Sequence, residues 1–144
     1  RIMEAHENYT MQHQDIRFEN DIAYGDVIEG VDFEYAKKLT SVNAINLASL
    51  AWAPPTVKKF SIGGIVQASV KFKWEKVNDP NIAGYKIYWR DTTSPIWQYE
   101  RFIGDISSYK LEGIVIDNFF FGISTVGKNG FESQIVFPNG VFRN

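Results

Sequence analysis

The sequence predicts a mainly β fold: a seven-stranded sandwich over residues 54–144, preceded by a loop and one long α-helix. Three observations predict it. After residue 54, apolar and polar residues alternate at period two in several short runs. Turn-forming clusters separate those runs at intervals of roughly 8–12 residues. Before residue 54 the period becomes that of a helix, and Pro54-Pro55 breaks the chain between the two patterns.

The helix is expected over about 32–52. Asp32 is a good N-cap, and Glu34 stands in the first turn where the helix dipole favours an acid. Ala36, Leu39, Val42, Asn43, Leu47 and Leu50 fall near one face, with Ile45 and Ala48 widening the stripe. A stripe that wide needs a partner to bury it. Residues 1–31 are too polar to be that partner, so the stripe is expected to lie against a larger domain. It could instead lean on the sandwich or self-associate with a second copy.

The strands follow. Val70, Phe72 and Trp74 alternate with Lys71, Lys73 and Glu75, and Asn78-Asp79-Pro80-Asn81 makes a turn. Tyr85, Ile87 and Trp89 alternate with Lys86, Tyr88 and Arg90. Trp97, Tyr99 and Arg101 form the next run, and Tyr109 with Leu111 a short one before Gly113. Phe119, Phe121, Ile123 and Thr125 alternate with Phe120, Gly122 and Ser124. Asn129-Gly130 reads as a two-residue hairpin turn with both positions at positive φ. The last strand is expected from about Ser133 to Phe137, stopped by Pro138.

Composition narrows the function classes. Hydrophobic residues at 44% and charged residues at 22% predict a packed globular chain. A net charge of -2 gives no reason to expect nucleic acid. Without cysteine, disulfides and thiolate metal sites are excluded. No apolar run approaches the ~20 residues a membrane span requires. Residues 1–53 hold four basic and nine acidic side chains, a net of −5, whereas residues 54–144 hold eleven and eight, a net of +3. This asymmetry supports two modules, 1–53 and 54–144. The chain begins at Arg1 without Met, and reads as a fragment.

The second module resembles a fibronectin type III, or immunoglobulin-like, sandwich. Trp74 matches that family's early core tryptophan. Gly84-Tyr85-Lys86-Ile87-Tyr88 matches its central strand, and Ile123 through Gly130 and Ser133 its late strand and loop. Phe119 stands where the family usually has a tyrosine, so the corner hydrogen bond of that hydroxyl is expected to be missing, at about 0.5–1.5 kcal/mol. Trp97 and Tyr99 or Tyr88 could stack on a sugar ring. Packing of these rings on the sheet or its loops is the commoner use of such residues.

Residues 1–31 carry two histidines, His6 and His13, among Glu4, Glu7 and Asp15. Histidine with a nearby carboxylate is the usual material of a zinc ligand and the group that orients it. One histidine is not a site, however, and a surface or capping histidine is the commoner reading. The run from Arg1 through Glu7-Asn8-Tyr9 to Gln12-His13-Gln14-Asp15, followed by Tyr24-Gly25-Asp26 and by Val31-Asp32-Phe33-Glu34-Tyr35, resembles the end of the catalytic domain of co-catalytic zinc aminopeptidases of the aminopeptidase Y type. Its pairing with a sandwich resembles the secreted bacterial members.

That resemblance implies that the helix closes an α/β peptidase domain, whose catalytic part lies upstream in the same chain and acts on a peptide substrate. Two zinc ions in the intact enzyme would polarise the scissile carbonyl and generate the nucleophile. His13 would be a ligand to one of them, with His6 as the fallback. Gln12, Gln14 and Asp15 would line its surroundings. The remaining ligands and the general base would come from elsewhere. This segment alone is expected to bind no zinc and to show no activity, and the intact protein to be extracytoplasmic. A non-catalytic module binding glycan or protein is the alternative.

Overall fold

The computed structural model describes residues 6–64 and 67–142. Arg1 to Ala5, which open the peptidase-like run and include Glu4, lie outside the described residues. The chain divides into two compact units, Arg1–Leu47 and Ala48–Asn144.

The first unit contains a hairpin that sequence periodicity did not predict. β1 (Arg17–Glu19) pairs antiparallel with β2 (Ile22–Tyr24) across Asn20 and Asp21. Both turn residues have positive φ, 52° and 63°, the geometry of a two-residue type I′ turn. The helix α1 (Phe33–Trp52) begins as expected: Asp32 caps it, its carboxylate accepting the Tyr35 N–H at 2.9 Å. No residue of α1 is buried. Among the described residues of the first unit, Gly25 alone is buried.

The second unit is the sandwich. Its strands are β3 (Phe60–Gly63), β4 (Ser69–Trp74), β5 (Ile82–Asp91), β6 (Tyr99–Gly104), β7 (Ser108–Glu112), β8 (Phe119–Gly127) and β9 (Gly140–Val141). One sheet has the order β7-β4-β3-β9 and the other β6-β5-β8. The run after Phe131 lies antiparallel to β8 through bridges at Glu132 and Val136, so it extends the β6-β5-β8 sheet beyond its named strands. This arrangement is that of a fibronectin type III-like sandwich, with sequential strands distributed between two sheets.

The expected alternation sets the core. Val70, Phe72 and Trp74 from one sheet face Tyr85, Ile87, Trp89, Phe121 and Ile123 from the other, and all are buried. Phe60 on β3 completes the core, stacking at 5.7 Å on Phe72. Phe119 has no hydroxyl to tie the β8 corner; its ring packs instead at 6.3 Å from Phe121. A different tyrosine tethers a loop, since Tyr85 is fully buried and its hydroxyl accepts the Val77 N–H at 2.9 Å.

Three local expectations are corrected. Asn129 is not at positive φ; the connection is a three-residue loop, with Gly130 at φ 84°. The Gly130 N–H donates to the Gly127 carbonyl at 2.9 Å and the Gly127 N–H to the Phe131 carbonyl at 2.8 Å, a turn closed by a left-handed glycine. The last strand is not continuous. Ile123 pairs with Val136 but Val126 with Glu132, so one extra residue bulges between them. Ser133 fills the break: its hydroxyl accepts the Thr125 N–H at 2.9 Å. Beyond Pro138 the chain continues as β9, parallel to β3. Asn139 holds it there, donating to the Lys58 carbonyl at 2.7 Å and accepting the Phe60 N–H at 3.1 Å.

Gly84, the glycine of the central-strand motif, faces the backbone of Gly104. A Cβ on it would stand 2.5 Å from the Gly104 carbonyl carbon. Gly84→Ala is therefore expected to destabilise the sandwich by about 1–3 kcal/mol. Urea unfolding followed by tryptophan fluorescence checks this; an unchanged midpoint would show that β5 and β6 can separate without cost.

Candidate functional site

The Asn8-Tyr9 pair organises the loop that carries His13. The Asn8 carboxamide oxygen accepts the Thr10 N–H at 3.1 Å and the Thr10 hydroxyl at 2.7 Å. The Asn8 carbonyl accepts the Met11 and Gln12 N–H groups at 3.2 and 3.1 Å. Side chain and backbone of one asparagine thus satisfy a whole turn. The Gly25 N–H donates to the Thr10 carbonyl at 3.1 Å, tying this turn to the end of β2. Tyr9 is exposed, and its hydroxyl donates to Glu7 at 2.9 Å. That hydrogen bond to a carboxylate raises the Tyr9 phenol above its ordinary value.

His13 ends the turn, exposed and in the left-handed region at φ 55°. Histidine is among the residues that tolerate this conformation, but the position is uncommon. His6 is exposed as well, with no such backbone feature. Gln14 accepts a hydrogen bond from Arg17 at 3.1 Å, and Arg17 also pairs with Glu19 and lies 4.0 Å over the Tyr24 ring. Among the described residues, no group of three or more histidines and carboxylates could hold a metal ion. The described residues therefore do not make a zinc site by themselves.

The aromatic residues weighed as a sugar platform pack on one another. Tyr99 stacks on Trp89 at 5.5 Å, and Trp97 lies tilted between Tyr88 at 6.0 Å and Phe137 at 5.4 Å.

The strongest polar cluster is one that sequence reasoning missed. Lys86 and Tyr88 on β5 and Ser124 on β8 all donate to the Glu132 carboxylate, Ser124 at 3.1 Å. Lys86 also pairs with Glu100 on β6 at 3.3 Å. Burial would raise the Glu132 carboxyl, but the hydrogen bonds from Lys86 and Tyr88 outweigh it and hold the group below the ordinary glutamate value. Burial raises the Tyr88 phenol, and its bond to Glu132 adds to this, reaching about 12. Burial would lower Lys86, but its bond to Glu132 prevails and holds the ammonium above the ordinary lysine value. Every oxygen of Glu132 is engaged, so the cluster is a staple across the sheet rather than a free acid or base. The outward, polar phase of β5 was its only trace in the sequence.

No protein-family model matches the chain. Known proteins do. Over 139 residues, 96% of the chain, it is 39% identical to a probable zinc metalloprotease of Pyrenophora tritici-repentis. Over the same share it is 36% identical to a probable zinc metalloprotease of Leptosphaeria maculans. A third, from Phaeosphaeria nodorum, is 36% identical over 149 aligned positions and 100% of the chain. The chain spans 29%, 32% and 30% of these relatives' lengths. They are fungal, whereas the motif resemblance pointed to secreted bacterial members. Among solved structures, the chain is 14% identical to an Fn3-like protein from Clostridium thermocellum, covering 64% of this chain and 95% of that one at a TM-score of 0.47. An FN3 domain of human collagen XX is 14% identical, covering 60% and 92% at 0.46. The fold rests on the strand order above and not on these scores.

The Glu132 staple gives a pH dependence. A depressed carboxyl contributes stability above its unfolded value and loses it as the pH falls through the folded one. A raised ammonium contributes below its unfolded value and loses it as the pH rises through the folded one. Both contributions are complete near neutral pH. Glu132→Gln is expected to cost about 1–3 kcal/mol there, and the difference from wild type should close on acidification below the carboxylate range. Thermal unfolding across pH checks this; a difference that stays constant would mean that Glu132 acts by packing and not by charge.

Proposed function

We propose that this chain is the closing part of a secreted zinc aminopeptidase, in which residues 1–53 finish the catalytic domain and residues 54–144 form an accessory sandwich. One observation carries the reading: the similarity to probable zinc metalloproteases runs through nearly the whole chain, across both parts. One structural feature supports it. The helix α1 buries no side chain, as an element does when its partner lies elsewhere. Among the described residues no helix is long and apolar enough to cross a membrane.

In this reading the zinc centre belongs to the intact protein. The described residues do not fit a metal ion alone, so no chemical step is assigned to them. His13 supplies one imidazole to a centre whose other ligands lie outside residues 1–144. Its support over His6 is positional: it follows the turn built by Asn8 and is held in the left-handed region. The substrate is the N-terminal end of a peptide, cleaved by the catalytic domain. The sandwich positions that domain and takes no part in chemistry.

Zinc content and aminopeptidase turnover of the full-length gene product, wild type against His13→Ala, test the assignment. The wild type is expected to hold about two zinc ions, since co-catalytic centres pair them. The variant is expected to lose one, together with most turnover. A metal-free wild type would remove the peptidase reading. A variant with unchanged zinc and rate would remove His13 alone.

A further inference from the structure

The outer face of the β6-β5-β8 sheet carries an aromatic patch that the sandwich's own core does not use. Trp97 and Phe137 are 5.4 Å apart, Phe137 and Phe120 6.4 Å. The Arg90 guanidinium lies 4.7 Å over Phe120 and 5.5 Å over Trp97. Phe120 is 43% exposed, Phe137 51%, and Ile96 beside Trp97 69%. The patch is built rather than incidental. Gly122 leaves room for Trp97 and Ile135 to lie on the sheet; a Cβ there would come within 2.9 Å of the Trp97 ring and closer still to Ile135.

We infer that this patch is the surface by which the sandwich docks on the remainder of its own peptidase chain. The inference rests on the metallopeptidase reading above. Three observations select this occupant. The composition, aromatic rings with one arginine, is that of an interface centre. Arg90 donates to the Ser94 carbonyl and lies over two rings, which fixes the guanidinium within the patch before any partner arrives. The patch is also small. A second copy held from solution needs about 800 Å² from each partner, far more than four partly exposed side chains supply. A tethered domain needs much less, because the linker holds it at an effective concentration of about millimolar. Relatives carry that tethered domain's worth of chain, since this chain spans only 29% of the first of them. A flat carbohydrate is disfavoured because the rings are not coplanar: Trp97 and Phe137 are inclined by 39°, Phe137 and Phe120 by 87°.

Hydroxyl-radical footprinting of the full-length gene product tests the surface. Phe120 and Phe137 are expected to label several-fold more slowly than Phe102, which is 53% exposed on β6. The double variant Phe120→Glu, Phe137→Glu is expected to raise labelling of Trp97 several-fold. Labelling of Phe120 and Phe137 at the rate of Phe102 would overturn the inference. Protection that disappears on dilution would overturn it too, by giving the face to a second copy. Zinc is assayed on the same preparation, so a metal-free protein counts against the peptidase reading and labelling counts against the docking surface separately. The wild-type comparison decides the matter even if the variant fails to fold.

Discussion

The contact between Trp74 and Tyr85 is the point on which the sandwich depends. Trp74 ends β4 in one sheet and Tyr85 lies on β5 in the other, with their rings 5.3 Å apart in an edge arrangement. Such pairs contribute about 0.5–1.5 kcal/mol beyond the area they bury. The pair also fixes geometry. Tyr85 reaches through the core to take the Val77 N–H, so the loop between β4 and β5 is tied to the strand it leads into. Phe60 packs on Trp74 and Phe72, and Phe72 meets Phe121 across the sheets at 5.4 Å. Once this aromatic column is placed, the alternation of each strand decides which residues go outward, and the Glu132 staple and the Arg90 patch occupy that second face.

The first unit obeys the opposite constraint. Its described residues have hydrogen bonds and caps but form no buried core. Phe18, Ile22, Ile28, Phe33, Leu47 and others are exposed. Local interactions of this kind contribute only tenths of a kcal/mol to about 1 kcal/mol each. They shape the hairpin and the helix without closing a domain.

This contrast explains what was legible in the sequence. The strands with a buried face were readable, because burial on one side enforces a period; the helix was readable from the spacing of its apolar residues and from its ends at Asp32 and Pro54-Pro55. Asp32 was readable as a cap because its chemistry is local. The β1-β2 hairpin was not: neither strand buries a face, so no alternation exists, and Asn20-Asp21 was its only signal. Asn129-Gly130 misled for the same reason in reverse. The dipeptide suits a two-residue turn, but the register between β8 and the following run leaves three residues to connect. The bulge at Ser133 and the staple at Glu132 depend on partners 8 to 46 residues away, which no local pattern records.

The candidate metal ligand was legible only through its resemblance, and the structure shows why. A zinc site needs three or four donors converging within bonding distance, and donors brought from distant segments leave no spacing rule behind. What remains locally is the shape of one loop. Asn8 saturates the turn, Gly25 anchors it, and His13 leaves it in a conformation that costs of order 1–3 kcal/mol where surrounding structure must impose it. In a unit where only Gly25 is buried among the described residues, no packed neighbour imposes it. The bare helix stripe and the left-handed histidine thus share one physical feature: among the described residues of this unit, no packed core covers the one or imposes the other.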